Sequence, residues 1–443
     1  LQCRSLEPGC WLTQAMADDL NKYGTSYGTL TKTIEEWCKI TTLTLYSRGW
    51  EKIDPIDGKK HLPNGVRKLN RLTTLSIADY PVEVVDPWIG NLAQLENLVI
   101  TSPWLSSLPS SLGYLTNLKK LVISGYKTWT PYYKAPIDKL PDGIVNLTSL
   151  EKLTINYTKV TQLPPNFNKL NKLTSLSLKN NLLTSLPSDI SDITGLVGSV
   201  CDSECHIQNN SYYSNKYLIF WANYYTGRLD LSGNQLTYLP ASISQLTNLV
   251  GINLSENPLT GSWALPALPS NFWDLVNIQE LILTYTDIAA LPESFSGLTN
   301  LRSVVIANNP KLTQLPTHFG MLSNLSQLEL TGNGITSLPE SFKDLPVFKS
   351  IVTNVWGTVT FWDNTYLNLQ NNKLESLPMS SIVKFKNQWL QRLDLQGNRM
   401  KSFPSNIGDL DTLQQLNLSA NVMTGGWVTN LEKVKSRYVN LSQ

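Results

Sequence analysis

The chain contains few charged side chains. Asp, Glu, Lys and Arg make up 16% of its 443 residues, whereas an average domain has about 25%. The net charge is +2, and there are only three histidines. Because so small a positive charge cannot neutralise a phosphate backbone, we expect no nucleic-acid partner. Most of the polar surface must therefore come from Ser, Thr, Asn, Gln and Tyr.

Long apolar runs and catalytic motifs are missing as well. No apolar stretch approaches the roughly 20 residues of a membrane helix, so we predict no membrane span in this chain. The sequence has no Gly-x-Ser-x-Gly, no phosphate-binding glycine loop with lysine and no His-Glu-x-x-His. Carboxylates are scattered rather than paired. We predict that the chain is not an enzyme and has no catalytic residue, cofactor or metal site.

Cysteines are few, and they lie in two local groups. They are Cys3, Cys10, Cys38, Cys201 and Cys205. Cys201 and Cys205, followed by His206, have the spacing of a metal cluster or a small disulfide, and we favour the disulfide. Asn-x-Ser/Thr sequons occur at Asn146, Asn156, Asn209, Asn253, Asn324, Asn417 and Asn440. Together with the low charge, these features predict a secreted or cell-surface glycoprotein with disulfides.

A unit of 23 residues recurs along the chain. Its clearest copies begin at Leu95, Leu150, Leu173, Ile278, Leu325 and Leu390 and follow the pattern LxxLxLxxNxLxxLPxxFxxLxx. Alternation in Leu-x-Leu indicates a short strand with one buried face. The Asn that follows can bond the backbone of adjacent units and form a ladder. It stands at Asn181, Asn234, Asn257, Asn309, Asn333, Asn372, Asn398 and Asn421, and is replaced by Tyr80, Pro103, Tyr126, Thr158 and Thr286.

This pattern resembles the leucine-rich-repeat family, in the variant with Leu-Pro and a Phe/Ile–x–x–Leu pair. The resemblance implies an α/β solenoid, a horseshoe of about fourteen units with a parallel concave sheet and short helical or 3₁₀ convex segments. Residues 41–434 are assigned to the repeats, with insertions near 127–134, 200–226, 260–266 and 352–366. Residues 435–443 form a short end without a cysteine cap.

Residues 1–40 are assigned to an N-terminal cap. The segment Leu12–Cys38 has a helical apolar pattern that includes Leu20 and Trp37, and Trp11 just before it extends the same apolar face. It resembles the disulfide-tied caps of plant receptor ectodomains and polygalacturonase inhibitors. That resemblance implies a bond from Cys38 to Cys3 or Cys10. One cysteine would then be left over, for an intermolecular bond, a reactive site or a partner beyond this sequence.

The insertions are rich in aromatic residues, and two of them are similar. Phe220-Trp221-Ala222-Asn223-Tyr224-Tyr225 resembles Phe361-Trp362-Asp363-Asn364-Thr365-Tyr366. The aromatics either pack on widened repeats or form an exposed contact patch. The contact-loop candidates are Trp129, Tyr132, Tyr133, Phe220, Trp221, Tyr224, Tyr225, Trp263, Trp356, Phe361, Trp362, Tyr366 and Trp427.

Outward strand positions form a second candidate surface. They include Lys152, Thr154, Ser175, Ser177, Arg228, Asp230, Asn253, Glu280, Glu329, Asn368, Arg392, Asp394, Gln415 and Asn417, with apolar Val99, Val122, Ile282 and Val305. Glycans at Asn156, Asn253 and Asn417 would obstruct this face and favour the loops and ends. We predict a non-catalytic module that binds a protein or glycan ligand. The alternatives are a subunit of an extracellular assembly that binds copies of itself, and an inhibitor of a foreign enzyme.

Overall fold

The computed structural model describes residues 12–22, 32–46, 59–78, 80–125, 133–193, 195–196, 227–260, 267–346, 349–353, 359–361, 366–377, 390–402, 412–424 and 438–440. The chain divides into two compact units. The first comprises Leu1–Val197 and Arg228–Gln235, and the second comprises Gly198–Gly227 and Leu236–Gln443. Each unit is described by itself.

The first unit is a parallel sheet whose strands follow chain order. The strands are β1 (Thr42–Tyr46), β2 (Thr74–Ala78), β3 (Asn97–Thr101), β4 (Lys120–Ser124), β5 (Lys152–Asn156), β6 (Ser175–Ser177) and β7 (Arg228–Asp230). Between them lie 3₁₀ helices, namely η1 (Asn64–Lys68), η2 (Pro87–Asn91), η3 (Ser110–Tyr114), η4 (Asp142–Asn146), η5 (Phe167–Lys169) and η6 (Ser188–Asp192). The predicted strand-and-turn repeat is confirmed here.

The second unit repeats this plan and adds one antiparallel strand. Its strands are β8 (Gly251–Asn253), β9 (Glu280–Ile282), β10 (Ser303–Val305), β11 (Gln327–Glu329), β12 (Lys349–Thr353), β13 (Val359–Phe361), β14 (Tyr366–Asn368), β15 (Arg392–Asp394), β16 (Gln415–Asn417) and β17 (Tyr438–Asn440). Its 3₁₀ helices are η7 (Ala241–Gln245), η8 (Ser270–Asp274), η9 (Glu293–Gly297), η10 (Phe319–Met321) and η11 (Glu340–Asp344). Strand β13 pairs antiparallel with β12, inside the insertion predicted near 352–366.

Alternation along each strand separates a buried from an outward face. In β4, Leu121 and Ile123 are fully buried, whereas Lys120, Val122 and Ser124 are half-buried on the other face. Parallel pairing puts equivalent leucines of successive repeats beside one another, as Leu121 lies beside Leu153 of β5. A repeat thus buries its apolar residues only against its neighbours.

The Leu-Pro motif starts the 3₁₀ segment on the opposite side of the core. Proline occupies the residue before η3, where Pro109 has φ −78°, because its fixed φ suits this position. Each segment spans at most five residues and points at least one large apolar side chain inward. In the second unit several of these residues are aromatic and stack in a row. The ring centroid of Phe319 lies 5.7 Å from that of Phe295 and 6.1 Å from that of Phe342.

An asparagine ladder satisfies the polar backbone where each strand ends. Asn309 Nδ2 donates to Leu283 O at 2.7 Å and to Ala307 O at 3.1 Å. Its Oδ1 accepts from both the backbone N–H and the hydroxyl of Thr286, at 2.8 and 2.7 Å. The predicted ladder is confirmed, and threonine takes part in it where it replaces asparagine. Thr158 bonds Asn181 in the same way.

The residue before the ladder asparagine adopts a left-handed conformation. Asn308 has φ +57° and Gly332, its counterpart in the next repeat, has φ +70°. A Cβ on Gly332 would lie 2.2 Å from Asn308 Oδ1. The same asparagine–glycine succession occurs at Asn180 and Gly233. Glycine therefore both tolerates the conformation and leaves room for the preceding asparagine.

The N-terminal region contains two short helices, α1 (Gln14–Lys22) and α2 (Ile34–Lys39). Residues 23–31 between them lie outside the described residues. A capping box joins Thr33 and Glu36 at the start of α2, and the bonds from Thr33 lower the pKa of Glu36. Trp37 is buried and donates its indole N–H to Asn21 Oδ1 at 3.1 Å. This contact ties α2 to α1.

We expect Asn309→Ala to lower the free energy of unfolding by about 3 kcal/mol, because its buried backbone partners lose their hydrogen bonds. Denaturant unfolding measures the change. Asn300→Ala is the matched control, since the exposed Asn300 amide donates to Val276 O at 2.9 Å, and its loss should cost about 0.5–1 kcal/mol. Equal losses in the two variants would contradict a special role for the buried ladder.

Candidate interaction surface

The loop aromatics fall mostly outside the described residues. This applies to Trp129, Tyr132, Phe220, Trp221, Tyr224, Tyr225, Trp263, Trp356, Trp362 and Trp427. Tyr133 is described and exposed. Phe361 ends β13 and Tyr366 begins β14. The contact patch predicted from these aromatics stays a prediction.

The cysteine predictions are also largely outside the described part of the chain. Cys3, Cys10, Cys201 and Cys205 are not described. Cys38 is buried in α2 and is disulfide-bonded. Its pairing with Cys3 or Cys10 stays a prediction. Within the described residues, no group of His, Cys, Asp and Glu could hold a metal ion, and no helix has the length and apolarity needed to cross a membrane.

The outward face of β3 to β6 consists of aligned rows of half-buried side chains. One row is Asn97, Lys120, Lys152 and Ser175; the next is Val99, Val122, Thr154 and Ser177. The rows are set by register, because parallel pairing aligns equivalent residues of successive repeats. We call this surface, together with Thr74 and Ser76 of β2, the open sheet face.

Several equivalent positions in the second unit are closed to solvent. Asn253 of β8, Ile282 of β9, Val305 of β10 and Glu329 of β11 are all buried, and Glu329 is only 1% exposed. The same is true of Arg228 and Asp230 in β7 of the first unit. The sequence predicts these residues to face outward like those of β3 to β6, but solvent reaches the two sets differently. The outward residues of β3 to β6 are thus all partly accessible to solvent, as are those of β16, whereas those of β7, β8 and β10 are buried and those of β9, β11 and β15 are partly accessible only at some positions.

Charge on the open sheet face is of one sign. Lys120 and Lys152 are its charged residues, and β2 to β6 contain no Asp or Glu. Lys119, just before β4, forms an ion pair with Glu96 at 3.0 Å. Lys120 and Lys152 make no such pair with any described residue. Both lysines are thus available to an anionic group from outside.

The sequons on outward strand positions are engaged within the fold. Asn253 is 7% exposed, and its Oδ1 accepts from Ser255 N. The Asn417 amide donates to Asp394 Oδ2 at 3.1 Å and to Gln396 Oε1 at 3.2 Å. Asn156 Oδ1 accepts from the Ser177 hydroxyl and from Lys179 N. The burial of Asn253 and the bonds from the Asn417 amide leave little room for a sugar at these two residues, because an attached sugar needs space at the amide nitrogen.

The remaining sequons differ in how exposed the asparagine side chain is and in whether its amide is hydrogen-bonded. Asn146, at the end of η4, is exposed. Asn324 is exposed too, but its amide donates to Thr299 O at 2.8 Å. Asn440 lies in β17, and Asn209 is outside the described residues. Asn146 is therefore the described sequon best placed to carry a sugar.

We expect Asn146 to be glycosylated and Asn253 to be unmodified when the chain is secreted by a eukaryotic cell. The folded structure has room for a sugar at exposed Asn146 and none at buried Asn253. Mass spectrometry of glycopeptides measures occupancy, with Asn146→Gln as the control that removes the first glycan. Full occupancy at Asn253 would contradict the burial of this residue.

A carboxylate links two repeats on the loop side of the second unit. Glu293 Oε1 accepts from Thr317 N at 2.7 Å, and Glu293 Oε2 lies 3.3 Å from His318 Nδ1. The hydrogen bonds from Thr317, with a smaller contribution from His318, lower the pKa of Glu293 to about 2. The group is exposed, so solvent screening limits its contribution to stability.

We expect this contact to make stability depend on pH in acid. Because the folded pKa lies below the unfolded value, the contribution is complete above about pH 4.5 and is lost as the pH falls toward 2. Unfolding of the wild type and Glu293→Gln, compared between pH 2 and 6, should give a difference that shrinks with acidification. A difference independent of pH would show that the carboxylate is not held in this way.

A second row of asparagines escaped the sequence analysis. Asn117, Asn277, Asn300 and Asn324 each donate to a backbone carbonyl of the preceding repeat, at 2.7 to 2.9 Å. All four occupy the position before the leucine or isoleucine that precedes a strand. Their recurrence, as in Leu-Thr-Asn-Leu, was the available signal.

Comparison with known proteins agrees with this geometry. The family model described as leucine rich repeat matches residues 276–335. A leucine-rich-repeat protein of Leptospira interrogans is 27% identical, with 85% of this chain and 80% of that chain covered and a TM-score of 0.64. The chain contains leucine-rich repeats and has the leucine-rich-repeat fold. No curated protein matches it.

More distant solved structures share the fold. An internalin of Listeria monocytogenes is 18% identical, with 97% of this chain and 95% of that chain covered and a TM-score of 0.56. The ectodomain of the Arabidopsis thaliana receptor kinase GASSHO1/SCHENGEN3, in complex with CASPARIAN STRIP INTEGRITY FACTOR 2, is 22% identical with a TM-score of 0.59. The match covers 86% of this chain but only 40% of the receptor chain.

Proposed function

We propose that this leucine-rich-repeat protein is a secreted or cell-surface, non-catalytic module that binds a partner protein through the open sheet face. The observation that carries the proposal is the difference in solvent access. Outward side chains of β3 to β6 are half-buried, whereas those of β7, β8, β10 and β11 include several buried residues, among them Asp230, Asn253 and Glu329. A regular polar face with a few apolar members is suited to recognition.

The solved complexes support the same use of the fold. A plant receptor ectodomain of this fold is described in complex with CASPARIAN STRIP INTEGRITY FACTOR 2, and a plant peptide hormone receptor in complex with RGF2. At these low identities the likeness concerns the fold, so the partner of this chain has to follow from its own residues. The second candidate function is self-assembly through the aromatic loops, and the exposure of Tyr133 favours it.

We expect peptides selected from a random library on the wild-type chain to lose binding to the Val122→Arg variant. Arginine at this half-buried position would fill the middle of the open sheet face. Tyr114→Arg is the matched control, because Tyr114 is 70% exposed on η3, away from the sheet. Binding is measured by surface plasmon resonance, and unfolding temperatures check that both variants fold. Peptides that ignore Val122→Arg but respond to Tyr114→Arg would overturn the proposal.

A further inference from the structure

Two lysines of like charge lie side by side on the open sheet face. Lys120 of β4 is the direct register partner of Lys152 of β5. Neighbouring strands are about 4.8 Å apart, and like charges placed directly opposite each other destabilise a sheet. Both side chains are half-buried, and neither forms an ion pair with a described residue. An anion that bound both would relieve the repulsion.

An apolar pair lies beside the lysines, in β4 and in the strand before it. Val99 of β3 is the register partner of Val122 of β4, and both are half-buried on the outward face. Val122 is two residues beyond Lys120 along the strand, so the two rows are roughly 6.6 Å apart. A row with two cationic side chains and a row with two apolar side chains therefore lie parallel to each other, and both rows cross the strands.

On the basis of the proposed function, we propose that the open sheet face binds an extended segment of a partner protein in which acidic and apolar residues alternate. Successive side chains of an extended chain point in opposite directions. A segment lying along the gap between the rows directs its carboxylates to Lys120 and Lys152 and its apolar side chains to Val99 and Val122. The flexible lysine stems absorb the difference between strand spacing and peptide spacing.

The valine pair favours a peptide over an anionic polysaccharide. An acidic sugar chain would satisfy the lysines but has no side chain to bury against Val99 and Val122. Strands β2 to β6 also carry no aromatic ring on which a sugar could stack. The Thr154 hydroxyl, which continues the valine row, can donate to a peptide carbonyl.

The test uses two capped nonapeptides, one of alternating Glu and Val and one with Gln in place of Glu. Isothermal titration calorimetry of the full chain is carried out at low and physiological salt. We expect only the Glu peptide to bind measurably, with an affinity that falls as salt rises. Lys120→Gln/Lys152→Gln should weaken binding about tenfold, from the loss of two exposed ion pairs.

The matched control is Lys169→Gln/Lys172→Gln, which removes two positive charges at exposed positions away from the sheet. It should leave the affinity within about twofold, because screening removes distant charge effects. Equal losses of affinity in both double variants would overturn the proposal, because the net charge of the chain would then explain the binding. Equal binding of the Glu and Gln peptides would overturn it too, as would tight binding of dextran sulfate, lost in Lys120→Gln/Lys152→Gln, without binding of the Glu peptide.

The outcomes separate this inference from the function on which it rests. Library peptides that lack acidic residues but still require Val122 would support the open sheet face as the binding site and contradict the acidic partner. Peptides that bind elsewhere on the chain would contradict both. Acidic library peptides that require Lys120 and Lys152 would support both.

Discussion

The fold depends on each repeat completing its neighbour. A strand of three to five residues with one 3₁₀ turn cannot bury its leucines or satisfy its backbone polar groups alone. Leu121 is buried because Leu98 and Leu153 lie on either side of it in the sheet. The carbonyl of Leu283 is satisfied because Asn309 of the next repeat donates to it. Stability therefore arises between repeats, and the outward positions remain free to vary.

That freedom is where specificity resides. Lys120, Val122 and Ser124 share the strand with two buried core residues but take no part in the core. The register that stacks the leucines also aligns these outward residues in rows, so the core organises the recognition surface without fixing its chemistry. The pair of lysines next to the pair of valines is specific to these strands, whereas the repeat that aligns them is common to the whole fold.

Several departures from the repeat pattern maintain the fold by other means. Thr158 and Thr286 stand where the consensus has asparagine, and each donates its hydroxyl and its backbone N–H to the asparagine of the following repeat. Tyr80 fills the same position in an early repeat with a fully buried ring. These substitutions are visible in the sequence, but the partner of each threonine hydroxyl lies 23 residues away along the chain. Their bonding could not be read from local pattern.

The sequence by itself determined the repeat, the strand positions, the buried leucines and the asparagine ladder, because each follows from a short spacing that recurs. Only the tertiary structure decided which outward residues meet solvent. Asn253 and Thr154 have the same place in the repeat, yet one is closed off and the other is half-open. Burial depends on the whole surroundings of a side chain, including segments distant in sequence. The alternation of apolar and polar residues along a strand predicts which face of the sheet a residue is on, but it does not predict what covers that face.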